Sequence, residues 1–303
     1  MNRAIKVYMC FLVLLSQELS VFAQLRSITV DDTSIRINAM GLDQRKDGQP
    51  VVVFESGHGT PQGNWDRVIH EVSRLAPVVA YDRPGVGESE AVDEEPTMEN
   101  VSARLINLLD QLELPPPYLL VGHSLGGLYV RGFAIHHPEL LAGLVIIDPA
   151  DFTENHQNRR AYYDVLDWKS SRVDSLIDSF IQRRNHRHEK SPPPIRREGQ
   201  YLEKVREQEF QEIVSNPLPN VPVHIITGGR FDSSKHPKTY DEEAVFRAKM
   251  RQRVSRWTDV IQSVDHGVLL YSGSAGHFVQ WDDPELVISS IKIALQDYAA
   301  MNN

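Results

Sequence analysis

Two side chains in this 303-residue sequence have the types and surroundings for nucleophilic chemistry, Ser124 and His277. Ser124 stands in Gly122-His123-Ser124-Leu125-Gly126, between the apolar run YLLVG and the helix-like stretch SLGGLYVRGFAIHH. A serine hydroxyl is a weak nucleophile until a base takes its proton. The pattern G-x-S-x-G between a strand and a helix makes a turn so sharp that the hydroxyl is exposed at the helix N-terminus, and glycines leave room where a Cβ would collide. The Leu125 N–H then points to where an oxyanion could form. His277, in SGSAGHFVQWDDPELV, falls in a loop between the last predicted strand and the last predicted helix. Such a loop can return an imidazole to the sheet edge, and an acid should lie between the two in chain order. The plain alternatives are a chance strand-to-helix turn and a surface histidine, one of 12. The two residues in their expected settings together favour catalysis over either.

The elements needed to position them are legible. SITVDDTSIRINAMG reads as two alternating strands joined at Asp31-Asp32. QPVVVFESG, PVVAYD, YLLVG, LAGLVIIDP, VPVHIITGG and GVLLYSG are apolar runs of strand length. Helical patterns fall between them: WDRVIHEVSRLA; TMENVSARLINLLDQLEL, capped by Thr97; DEEAVFRAKMRQRVSRWTDVIQSV; and PELVISSIKIALQDYAA. Strands apolar on both faces and alternating with helices predict a parallel sheet covered on each side. Residues 150–220 break that rhythm with polar helical segments and the run Ser191-Pro192-Pro193-Pro194. They read as an insertion across the top of the sheet.

At this point the chain resembles the α/β-hydrolase superfamily over residues 25–303. The resemblance rests on FESGHGTPQGNW, YDRPGVGES, VGHSLGG and SGHFVQWDDPELV, in the family's order. It implies an α/β fold with an eight-stranded, mostly parallel sheet flanked by helices, a Ser-Asp-His triad, and a helical lid at residues 150–220. The hydrolase core would be split into 24–149 and 221–303. In the family the acid usually follows the seventh strand as G-x-x-D, which Gly229-Arg230-Phe231-Asp232 matches. Asp232 is therefore the expected acid, holding His277 in the right tautomer. Asp148, in VIIDPAD after the sixth strand, is the alternative position used by some relatives. Asp265 and Asp282 read as structural or solvated. Aligning FESGHGTPQGNW with the family's F-x-H-G-x-x form puts Ser56-Gly57 at the His-Gly pair, so the second oxyanion donor is the His58 N–H. Matching the visible His58-Gly59 pair would choose Thr60 instead; the chosen register keeps Trp65 in place. Arg83, in Asp82-Arg83-Pro84-Gly85-Val86-Gly87-Glu88-Ser89, reads as a structural residue that binds several carbonyls.

Composition sets the outer bounds. Hydrophobic residues make up 41% and charged residues 24%, a globular balance, and the formal net charge of -9 gives no nucleic-acid footprint. The first 23 residues run from Arg3 and Lys6 through VYMCFLVLL to Val21-Phe22-Ala23. That order predicts a signal peptide cut after Ala23, with export to the periplasm or medium and no stable membrane span afterwards. Cys10 is the single cysteine and falls in that segment, so the processed chain would hold no disulfide, thiolate nucleophile or cysteine metal site. RRNHRHEK carries His186 and His188 without the spacing of a metal site and reads as a solvated surface. No dinucleotide or phosphate-loop spacing is present. No metal and no organic cofactor are expected.

The expectation is an exported serine hydrolase cleaving a small-molecule carboxylic ester or lactone through an acyl-enzyme. An amidase or aminopeptidase, or an acyltransferase, could use the same groups. A binding protein on a dead scaffold would lack one of them. Tyr162, Tyr163, Trp168 and Phe180 either line an acyl site or pack the insertion. Oligomeric state is not legible.

Overall fold

A computed structural model describes residues 24–235 and 239–302. The expected leader, 1–23, lies outside the described residues. A single eight-stranded sheet has the order β1-β2-β4-β3-β5-β6-β7-β8. Its strands are β1 (Gln24–Val30), β2 (Thr33–Met40), β3 (Val51–Glu55), β4 (Val78–Tyr81), β5 (Tyr118–His123), β6 (Leu141–Ile147), β7 (Val223–Gly228) and β8 (Gly267–Ser272). β3 to β8 run parallel, while β2 pairs antiparallel with both β1 and β4. The β1–β2 turn is made by Asp31 and Asp32 at φ 47° and 59°, the left-handed pair that a two-residue hairpin requires.

The helices are α1 (Ile69–Ser73), α2 (Met98–Gln111), α3 (Leu125–His136), α4 (His156–Ala161), α5 (Ser170–Glu189), α6 (Pro193–Glu207), α7 (Gln211–Val214), α8 (Glu242–Ile261), α9 (Val279–Asp282) and α10 (Pro284–Met301). The Thr97 side chain accepts from Asn100 N–H, so α2 starts where its cap predicts. The stretch WDRVIHEVSRLA holds only the short α1, with a 3-10 turn (Gln62–Trp65) before it. Every residue of β3 to β7 is buried, which is why these strands read as unbroken apolar runs. One core layer includes Leu120, Leu128, Phe133 and Trp257, and the other includes Phe54, Trp65, Val145 and Ile291. Helices α4 to α7 all fall between β6 and β7, where the rhythm of the sequence breaks. Among the described residues no helix is long and apolar enough to cross a membrane.

Candidate active site

The turn after β5 is as tight as its glycines demand. Ser124 has φ 54° and ψ −114°, a conformation most side chains avoid, and it occupies the residue just before α3 without a side-chain capping bond. A Cβ on Gly122 would lie 2.4 Å from Gly126 O, and one on Gly126 only 2.1 Å from Glu55 O. The turn is tied to β6 by Ser124 N–H donating to Ile147 O at 3.0 Å. The Leu125 N–H opens α3 and is among the first amides, which a helix leaves without an internal partner.

His277 reaches the serine from 153 residues away, with Nε2 at 3.1 Å from Ser124 Oγ. Its loop is held from both sides of the histidine. Buried His123 donates from Nε2 to His277 O at 2.9 Å. Asp282 accepts Gly276 N–H at 2.8 Å and also pairs with Arg230 at 2.8 Å. Burial first, and the neighbouring His277 second, lower the His123 pKa to about 3, so its ring is neutral at pH 7. Asp282 therefore has a definite structural role, whereas Asp265 makes a peripheral contact with Asn220 at 3.2 Å.

The expected acid is not the one that meets the histidine. His277 Nδ1 lies 2.6 Å from Asp148 Oδ2, at the end of β6. Asp232 instead accepts from Ser234 N–H at 3.1 Å and from its hydroxyl at 2.5 Å, within its own loop. The reason lies in the strand order. β6 is the direct neighbour of β5, which carries the serine, and β7 is one strand further out. The loop after β7 is drawn toward β8, with Gly229 N–H on Ser272 O at 2.8 Å and Arg230 N–H on Ala275 O at 2.9 Å. At Asp148 the chain takes φ 36°, an uncommon turn for a residue with a side chain.

A buried carboxylate needs compensation. Asp148 Oδ1 accepts from Thr227 Oγ1 at 3.0 Å, from Gly228 N–H at 3.3 Å and from Arg253 Nη1 at 3.0 Å. Arg253, on α8, also donates to Pro149 O at 2.7 Å. Burial by itself would raise the acid's pKa. The Arg253 cation, then the hydrogen bonds from His277 and Thr227, hold it well below the usual carboxylate range. Asp148 therefore stays ionised while its Oδ2 faces the imidazole. The run of apolar residues ending in Asp148-Pro149 marked this aspartate as a strand-end residue; Arg253, 105 positions away, left no local mark.

On the other side of Ser124 lies the loop after β3. A Cβ on Gly57 would sit 3.3 Å from Ser124 Cβ and 3.1 Å from His123 Nδ1, so the loop packs against Ser124. Thr60 N–H is spent on Gly57 O at 3.2 Å, closing the turn, which favours the His58 register over Thr60. The His58 ring donates from Nε2 to Ile195 O at 2.8 Å. Arg83 binds carbonyls as expected, donating to Ser56 O at 2.6 Å and Gly57 O at 2.7 Å. Sequence reasoning missed its charged partners, Glu55 and Glu198, both buried.

In the insertion one reading changes, for His188, and one open choice is decided, for the aromatic residues. His188 is buried and meets the His58 ring edge-on with centroids 5.1 Å apart, whereas His186 is exposed. Tyr162 and Tyr163 pack with Val173 and Val245 into a separate small core, with Trp168 and Phe180 against it. No cluster of three or more His, Cys, Asp or Glu side chains suited to a metal occurs among the described residues.

Known proteins agree with this architecture. The chain is 30% identical over 131 residues to a 2-hydroxy-6-oxo-6-(2'-aminophenyl)hexa-2,4-dienoic acid hydrolase of Metapseudomonas resinovorans, covering 41% of this chain and 45% of that protein. It spans half or less of the length of the curated relatives it matches, 40%, 50% and 45% for three of them. Among solved structures it resembles the enol-lactonase from Burkholderia xenovorans LB400, with TM-score 0.56 and 18% identity, over 89% of this chain and 99% of that one. The epoxide hydrolase VrEH1 from Vigna radiata gives TM-score 0.57 and 16% identity, over 90% and 98%. These two likenesses show the fold. Residues 52–289 match the model of the alpha/beta hydrolase family, and the chain belongs to that family.

Proposed function

We propose that this protein is a serine hydrolase that cleaves a small carboxylic ester or lactone, with Ser124 as nucleophile, His277 as base and Asp148 as the orienting acid. The observation that carries the reading is the unbroken relay Ser124 Oγ–His277 Nε2 (3.1 Å) and His277 Nδ1–Asp148 Oδ2 (2.6 Å). An ionised Asp148 accepts a hydrogen bond from Nδ1–H and so keeps the ring proton there, which leaves the Nε2 lone pair free for the Ser124 hydroxyl. Ser124 attacks the acyl carbonyl, His277 takes its proton and passes it to the departing alcohol, and an acyl-enzyme remains. The N–H groups of Leu125 and His58 receive the oxyanion. Water, activated by the same imidazole, then releases the acid and restores the serine.

An enol-lactonase on the same fold makes a lactone a natural member of the substrate set. The epoxide hydrolases of this fold use an aspartate at the elbow, where this chain has Ser124, so epoxide opening is set aside. The insertion between β6 and β7 is the proposed lid, and the basic-apolar-small order of residues 1–23 supports export. Sequencing the N-terminus of the exported protein should find Gln24 first.

The test uses p-nitrophenyl esters, lactones, amides and a 2-hydroxy-6-oxo-dienoate, together with a fluorophosphonate probe. The wild type should hydrolyse an ester or lactone and take up the probe at Ser124. Ser124→Ala should lose both, and equal labelling of that variant overturns the assignment.

A further inference from the structure

The loop beside the nucleophile is gripped from the insertion. α6 contributes two contacts to it and a third to the arginine behind it: Ile195 O accepts from His58 Nε2 at 2.8 Å, Glu198 Oε2 accepts Gly59 N–H at 2.8 Å, and Glu198 Oε1 accepts Arg83 Nε at 2.7 Å. Arg83 in turn donates from Nη2 to Gly57 O at 2.7 Å and from Nη1 to Ser56 O at 2.6 Å and to Glu55. Glu55 is further bonded by the Tyr81 hydroxyl. Arg83, Glu55 and Glu198 are 4%, 1% and 3% exposed.

A peptide unit is planar, so an anchor on its carbonyl also fixes the direction of its N–H. The Gly57 carbonyl and the His58 N–H belong to one such unit. A guanidinium on the carbonyl side also polarises the N–H on the other. Resting on the serine chemistry above, we propose that Arg83 and Glu198 are positioning residues for the oxyanion hole: Glu198, delivered by the insertion, holds Arg83 and Gly59 so that the Gly57–His58 peptide presents its N–H to the tetrahedral oxygen at Ser124. The site is then complete only when α6 is docked.

Two competing roles make opposite demands. If the buried charges acted only through their field, the cluster of two carboxylates and one guanidinium would oppose an oxyanion. Removing a negative charge at Glu198 would then speed the reaction. If the cluster only pinned the insertion in place, its loss would lower stability and leave the folded enzyme's turnover alone. Positioning predicts slower turnover.

The test compares full-length wild type, Glu198→Gln and Arg83→Lys on one ester, with melting temperature, kcat, KM and the rate of fluorophosphonate labelling. A glutamine has one acceptor oxygen where two bonds need two. A lysine has no fork to span Ser56 O and Gly57 O. For each folded variant kcat should fall at least about tenfold, toward the roughly hundredfold cost of one misplaced oxyanion donor, with KM within about threefold. Labelling should slow in parallel. In the double variant the two losses should fall short of adding, because both act on one peptide. If Glu198→Gln fails to fold, Arg83→Lys carries the same readouts, since it keeps the buried charge. Unchanged or faster kcat in a folded variant, or a change in KM alone, overturns the inference. A wild type that is not labelled at Ser124 overturns the serine chemistry itself.

Discussion

Replacing Asp148 by asparagine tests the site at its least expected point. Three donors converge on Oδ1 of Asp148: the Thr227 hydroxyl at 3.0 Å, Gly228 N–H at 3.3 Å and Arg253 Nη1 at 3.0 Å. An asparagine must turn its carbonyl oxygen to them, which leaves its amide NH2 facing His277 Nδ1. That nitrogen then has to accept, so the ring proton moves to Nε2, where it faces Ser124 Oγ and no base remains. A tautomer error of this kind in a Ser-His-Asp triad costs ~10⁴-fold in kcat, about 5 kcal/mol of transition-state stabilisation. The side chain keeps its volume, and Arg253 retains Pro149 O at 2.7 Å, so the variant should remain folded with a lowered melting temperature. Turnover of a p-nitrophenyl ester, with thermal melting alongside, reads the outcome. Asp232→Asn, which changes a carboxylate bonded to Ser234 while His277 meets Asp148, should stay within about threefold of wild type. A larger loss at Asp232 than at Asp148, or more than about a tenth of wild-type turnover left in folded Asp148→Asn, would refute the reasoning.

Two further outcomes are expected. His123 is buried and neutral with a pKa of about 3, while the unfolded chain would protonate it near 6.5. The unfolded state therefore binds the extra proton between those values, and stability must fall as pH drops. Through this residue alone the loss from pH 7 to 4.5 is about 2.5 kcal/mol. Urea unfolding at both values should show a shallower fall in His123→Asn; equal falls would mean that His123 is not held neutral. His224, with a pKa of about 4, adds a similar decline in both proteins. Gly57→Ala should place a methyl 3.1 Å from His123 Nδ1 and 3.3 Å from Ser124 Cβ, closer than either neighbour accepts without moving by a few tenths of an ångström. Such displacement at a nucleophile should cost about tenfold in kcat with KM nearly constant, and an unchanged kcat would show that the loop does not press on Ser124.

The legible part of the molecule is the part encoded by near neighbours. Strands β3 to β7 are buried on both faces, so their residues had to be apolar without alternation, and the runs could be read directly. Asp31-Asp32 and Thr97 are local turn and cap signals, and both stand where they were read. The first helix was overdrawn, because WDRVIHEVSRLA has helical spacing but spends much of its length in turns against β3 and β4. Ser124 was legible because its strained backbone requires glycines at fixed offsets, and those glycines are in the sequence.

The sequence by itself therefore determined the order of elements, the elbow at Ser124 and the loop that carries His277, since each depends on residues only a few positions apart. Tertiary structure alone decided which aspartate faces His277 and what holds the loop at His58. Two aspartates followed neighbouring strands, and the local G-x-x-D pattern pointed to Asp232, whereas the fold brings Asp148 to His277. Strand order put Asp148 beside the serine-bearing strand, Arg253 came from 105 residues further on to keep it ionised, and Glu198 came from 139 residues beyond Gly59 to fix the loop. Charge compensation in a buried site depends on distance through space, and no periodicity along the chain records it.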